Sequence, residues 1–195
     1  KGDTALHIAC ENGHDKVVKL LLHHGAQMEA TRSDDQYTPL HIASRFGQPE
    51  CARLLLLVGA NANAKCIQQT TPLYHAATKG NPETVDLLLD SGVDLEATDS
   101  SGQTVLSLAV REASVTAVTC LLGKGASART VDKFGATPLH RAARASNKVL
   151  ATHLLAAGAD IEAEDGGGHR PIHIAAIYGS TEMVEYLLSE GALLE

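Results

Sequence analysis

The proline of a recurring Thr-Pro-Leu-His mark, or the residue in its place, falls at Ala5, Pro39, Pro72, Val105, Pro138 and Pro171, an interval of 34 residues once and 33 thereafter. A glycine shortly after a Leu-Leu pair keeps the same beat at Gly25, Gly59, Gly92, Gly125, Gly158 and Gly191. Two marks in phase at this period exclude a fold grown around one centre. They require a small unit repeated six times, each burying its apolar face against the next. The extra residue of the first interval lies between Gly25 and Thr38, where a surface turn absorbs it.

Each unit reads as two helices. In every unit a Thr is expected to cap the first, its hydroxyl accepting from an exposed N–H, with Pro in the first turn, where its missing donor is harmless. Gly13, Gly47, Gly80 and Gly179 suit the left-handed ending of that helix. His14, Gln48, Asn81, Ser114, Asn147 and Ser180 open the second helix, with proline following at Pro49 and Pro82. Its apolar residues fall at helical spacing, as in Val17, Val18, Leu20, Leu21 and Leu22. The pairs Leu21/Leu22, Leu55/Leu56, Leu88/Leu89, Leu121/Leu122, Leu154/Leu155 and Leu187/Leu188 predict one ladder of core residues. With two Phe, four Tyr and no Trp, the core must be filled by Leu, Val, Ile and Ala. Ala9/Cys10, Ala76/Ala77, Ala142/Ala143 and Ala175/Ala176 let first helices approach closely.

The stretches TPLHIASRFG (38–47), TPLYHAATKG (71–80) and TPLHRAARAS (137–146), at this period, resemble the ankyrin repeat, and the resemblance covers essentially the whole chain. It implies an all-α ankyrin-repeat solenoid of six stacked helix-turn-helix units, with β-turn or hairpin loops projecting between the pairs. The units run over about 1–33, 34–66, 67–99, 100–132, 133–165 and 166–195, as a single domain. In the family, loop tips and first helices line a concave face that binds protein partners.

The net charge of −7 offers no broad cationic field for phosphate backbones, so direct nucleic-acid binding is not expected. No apolar stretch is long enough for a membrane span. The four cysteines form no CxxC and no paired framework, and no N-x-[ST] acceptor occurs, which fits thiols in a reducing cytoplasm or nucleus. A monomer is expected. The chain opens at Lys1 inside the first repeat, so it is expected to be a piece of a longer polypeptide.

Ten histidines invite a metal or catalytic reading. His7, His41, His140 and His173 occupy one column, broken by Tyr74 and Ser107, and a residue needed in every unit serves architecture rather than one reaction. The resemblance implies that this His bonds the Thr of its own unit and the neighbouring loop backbone. His23 and His24, near a helix end, suit the negative end of the helix dipole. No GxSxG, HExxH or GxxxxGK[ST] pattern is present, and Gly166, Gly167 and Gly168 read as a flexible loop tip. Neither a catalytic residue, a cofactor nor a metal site is expected.

The positions the repeat leaves free carry the functional information. By resemblance these lie four, three and one before the Thr, and seven and eight after it. Four of the chain's aromatics, Tyr37, Phe46, Phe134 and Tyr178, land there. So do Arg45, Arg111 and Arg144, which share one column, and Lys79 and Ile177. Aromatic and arginine side chains dominate binding hot spots, so these nine residues are the candidate partner contacts, for a protein or peptide with apolar and acidic groups. The expected function is a non-catalytic protein-recognition module. The alternatives are a structural spacer array, or a substrate-recruiting region of a larger enzyme or signalling protein. Asn63, in GANANA, stands at a family position that is sometimes hydroxylated; as a turn-favouring residue it also suits the loop itself.

The fourth unit has Val105, Ser107 and Ala113 in place of Pro, His and Gly, and the fifth has Ser146 at that Gly position. A non-Gly residue at positive φ costs about 1 kcal/mol, so these units are expected to be locally soft.

Overall fold

The structure is a computed structural model that describes residues 2–194. The chain forms two compact units, Lys1–Ser100 and Ser101–Glu195. In unit 1, first helices α1 (Ala5–Glu11), α3 (Pro39–Phe46) and α5 (Pro72–Lys79) alternate with second helices α2 (Asp15–His23), α4 (Pro49–Leu57) and α6 (Pro82–Asp90). In unit 2, first helices α7 (Val105–Arg111), α9 (Pro138–Arg144) and α11 (Pro171–Ile177) alternate with α8 (Val115–Gly123), α10 (Lys148–Ala156) and α12 (Thr181–Ser189). Within each unit first helices pack on first helices and second on second, the layering of an all-α repeat solenoid.

The helix starts follow from the capping chemistry, with two exceptions. Thr4, Thr38, Thr104 and Thr137 sit in extended conformation and accept from the N–H three residues on. Thr71 makes no such bond, and the sixth unit has Arg170 in the Thr position, so the expected cap in every unit does not hold. There the Arg170 N–H donates to His173 Nδ1 at 3.0 Å, so the ring supplies the acceptor. The left-handed endings appear as expected at Gly13, Gly47, Gly80 and Gly179, and they persist at Ala113 (φ 55°) and Ser146 (φ 52°).

The second helices divide by how their first residue uses its side chain. Ser114, Asn147 and Ser180 accept from their own helix, at Ala117, Leu150 and Met183. Gln48 and Asn81 instead reach back to the preceding repeat, donating to the carbonyls of Glu11 (3.3 Å) and Ser44 (3.1 Å).

In five of the six Leu pairs the first member carries the core: Leu55, Leu88, Leu121, Leu154 and Leu187 are fully enclosed, whereas Leu21 in the first unit is only half-buried, so the ladder does not extend to it. Their partners Leu56, Leu122 and Leu155 are half-buried, because one helical step turns them toward the rim. Of the small pairs on the first helices only Ala176 is exposed.

The projecting segments are tight turns. Each folds on itself, as in Arg32 N–H to Tyr37 O and Asp132 N–H to Ala136 O (both 3.1 Å), and turns through a positive φ at Gln36, Gln69, Gly102, Gly135 and Gly168. Adjacent tips are tied by backbone bonds, Ile67 N–H to Asp35 O at 3.0 Å and Gly166 N–H to Phe134 O at 2.7 Å. Side chains add further ties: Glu29 accepts from Asn61 N–H, and Asn63 from Asp94 N–H at 2.8 Å. The tips within each unit are thereby tied to one another.

Candidate functional site

The repeated histidines are architectural. Nε2 of His7, His41 and His140 lies 2.9, 3.2 and 2.9 Å from the carbonyls of Tyr37, Thr70 and His169, so it must carry the proton and donate. Their Nδ1 atoms accept from the N–H of Thr4, Thr38 and Thr137. Each ring thus ties a helix start to the next loop. In the third unit the ring is displaced by one residue: His75 Nε2 meets Thr70 Oγ1 at 2.9 Å, where Tyr74 holds the usual position. Burial pushes the pKa of His41 down to about 4 and that of His75 down to about 3, so both rings are neutral and unsuited to proton transfer near neutrality. Among the described residues no group of three or more His, Cys, Asp or Glu is placed to hold a metal ion. Among the described residues no helix is long and apolar enough to cross a membrane, and none of the four cysteines is in a disulfide.

Eight of the nine candidate contact residues are exposed, and Tyr37 is not. Only 6% of Tyr37 is accessible, its ring stacked on His41 (centroids 5.4 Å apart, 17° between planes) and tilted against His75 at 4.8 Å. It is a core residue and cannot anchor a partner from this conformation. Arg45 also lies over that ring, 5.7 Å from its centroid, and Phe46 beside it is 45% exposed. Lys79 ends the neighbouring helix α5. Arg111 is engaged locally, with Glu112 Oε1 at 3.1 Å and Gln103 Oε1 at 3.4 Å.

Unit 2 gathers the remaining residues. A recess of about 370 Å³ is bounded by Phe134 and Ala136 on a loop tip, by His140, Arg141 and Arg144 on α9, and by Ile174 and Tyr178 at α11, with Gln103, Asp132 and Asp165 below. Phe134 is 76% exposed and Tyr178 52% exposed. The Arg144 guanidinium lies 5.2 Å from the Tyr178 ring centroid, a cation–π contact that fixes both side chains without neutralising the charge. Ile177 is exposed at the end of α11, next to Tyr178.

The floor of the recess is set by a pair that sequence reasoning missed. Asp132 is buried, accepts from the N–H groups of Phe134 (2.8 Å) and Ala136 (3.0 Å), and binds Arg141 Nη2. It therefore shapes the turn that presents Phe134. The signal was present: Arg141 breaks a column that reads Ile8, Ile42, His75, Leu108 and Ile174 in the other units.

The family model described as ankyrin repeats (3 copies) matches residues 1–66, 56–132 and 106–194. Among curated relatives, mouse protein phosphatase 1 regulatory subunit 27 is 43% identical over 63 residues, 32% of this chain and 40% of that protein. The Caenorhabditis elegans homolog of transient receptor potential cation channel subfamily A member 1 is 39% identical over 69 residues, 35% of this chain and 6% of that protein. The matched stretches thus span well under two thirds of these relatives' lengths. A crystal structure of an ankyrin repeat domain from Acinetobacter baumannii AYE superposes with a TM-score of 0.88 at 28% identity, covering 96% of this chain and 98% of that one. Ankyrin repeats are protein-interaction modules, and this chain belongs to the ankyrin repeat family.

Proposed function

We propose that this array is a non-catalytic recognition module that binds an extended segment of a partner protein through the first helices and loop tips of unit 2. The observation that carries this reading is the recess walled by Phe134 and Tyr178 with Arg144 across one ring. An apolar partner side chain enters against the two rings, and a carboxylate beside it meets Arg144, whose charge no acid of the chain pairs among the described residues. In unit 1, Arg45, Phe46 and Lys79 offer a second exposed apolar and cationic group. The array acts as a monomer.

The test is selection of a phage-displayed random-peptide library on the purified array. The expected result is enrichment of sequences that pair an apolar residue with Asp or Glu, and loss of at least tenfold in affinity for Phe134→Ala and for Arg144→Ala. Enriched peptides that bind both variants unchanged would overturn the assignment. Recovery of no peptide at all would favour a spacer role.

A further inference from the structure

We propose that unit 1 carries a second, separate docking groove, on its second helices, for an acidic amphipathic helix of a partner protein. Lys16, Lys19, Leu20 and His23 recur on α2 at the spacing that places residues on one helix face. With Leu57 and Val58 at the end of α4 they bound a recess of about 580 Å³. None of the nine candidate contacts of the first-helix face takes part in it.

The apolar wall is one the repeat does not need. Leu57 is 75% exposed, and at the Leu57-Val58 position the other units have His23-His24, Asp90-Ser91, Gly123-Lys124, Ala156-Ala157 and Ser189-Glu190. Polar or small residues therefore satisfy the fold there, and Leu57 with Val58 adds apolar surface that only a bound molecule would cover.

Charge identifies the occupant. The chain has a net charge of −7, yet the lining holds two lysines and a histidine and no carboxylate. Neither Lys16 nor Lys19 forms an ion pair among the described residues, and Glu50 on α4 already holds Arg53 at 3.2 Å. An apolar trough with a one-sided cationic rim fits a helix with an apolar stripe edged by Glu or Asp. The nine-residue helices α2 and α4 are each about 13 Å long, matching two to three turns of such a ligand. A membrane surface fits poorly, because the chain's net charge of −7 opposes approach to anionic lipid.

The experiment uses a fluorescein-labelled 18-residue helical peptide with a leucine stripe flanked by glutamates, a second peptide of the same stripe flanked by lysines, and vesicles of phosphatidylserine and phosphatidylcholine. Fluorescence anisotropy should show the acidic peptide binding at least tenfold more tightly than the basic one, weakening with added salt. Leu57→Asp and the milder Leu57→Ser should each reduce that binding at least fivefold, with helical circular dichroism unchanged because the residue is exposed. Phe134→Ala should leave it intact. Failure of the acidic peptide to bind, equal binding of both peptides, insensitivity to both Leu57 variants, association with the vesicles in place of the peptide, or a dimer in sedimentation that Leu57→Asp dissolves would each overturn the proposal.

Discussion

The carboxamide of Asn81 occupies the space that a side chain at Gly47 would need: an added Cβ there would lie 2.5 Å from Asn81 Oδ1. Gly47 is also left-handed, at φ 64°, so two independent constraints meet at one residue. Asn81 is held in place by its bond to Ser44 O. Gly13 and Gln48 repeat the arrangement one unit earlier, with an added Cβ 2.4 Å from Gln48 Oε1. Ala113 and Ser146 are tolerated at the equivalent position where Asn147 and Ser180 fold back onto their own helices.

Gly47→Ala is therefore expected to cost more than the backbone strain alone, about 2 kcal/mol or more against about 1 kcal/mol for positive φ. In an Asn81→Ala background the clash disappears, and the penalty should fall by about 1 kcal/mol. Urea unfolding of the four proteins of this cycle measures it. Equal penalties in both backgrounds would show that only φ matters.

Ala113→Gly and Ser146→Gly are expected to stabilise the protein, by about 1 kcal/mol each, because they relieve positive φ at 55° and 52° without removing a buried group. Hydrogen exchange should show unit 2 amides around α7–α10 exchanging more slowly in the double variant. No change in either the unfolding midpoint or exchange would mean that these turns already relax at no cost.

The fold was legible because its determinants are local and repeated. The His column, the caps and the left-handed turns each need only residues within one unit plus one neighbour, so every copy restates them. Tyr37 was misread for the same reason. Its column, one before the Thr, holds Thr70, Gln103, Ala136 and His169 elsewhere, and such variety reads as freedom. Tyr37 packs on His41 and Arg45 of its own unit and on the displaced ring of His75, an exception in a neighbouring unit that no column rule contains. Phe134, Arg144 and Tyr178 are exposed because their positions lie where the stack leaves side chains uncovered. The partnership of Asp132 and Arg141 was not, since it joins a loop column to a helix column.

Acid should weaken unit 1 before its carboxylates titrate. His41 and His75 are held neutral by burial, with pKa values of about 4 and about 3, whereas an unfolded histidine titrates near 6.5. Below about pH 6.5 the unfolded chain binds more protons than the folded one, so stability is complete above that pH. It declines as pH falls toward about 4 for His41 and about 3 for His75. The urea midpoint at pH 5.0 should lie below that at pH 7.5, and His75→Gln, which keeps a donor for Thr70, should narrow the gap. A midpoint flat across this window would contradict the assignment of neutral, buried rings.

The exposed ring of Phe134 depends on a buried charge. Asp132 accepts two backbone N–H groups of the Phe134 turn and binds Arg141, so its carboxylate is satisfied on three sides. Asp132→Ala leaves both N–H groups and the Arg141 guanidinium without their acceptor and is expected to cost about 3 kcal/mol. Asp132→Asn keeps an oxygen for the turn and should cost less, about 1–2 kcal/mol, by losing only the charge. Arg141→Leu restores the apolar residue usual in that column but strands the Asp132 charge, so it should destabilise unless combined with Asp132→Asn. The decisive measurement is exchange of the Phe134 and Ala136 amides: Asp132→Ala should speed it far more than Arg141→Leu does. If Arg141→Leu opens these amides as fully as Asp132→Ala, the ion pair rather than the two N–H bonds holds the turn.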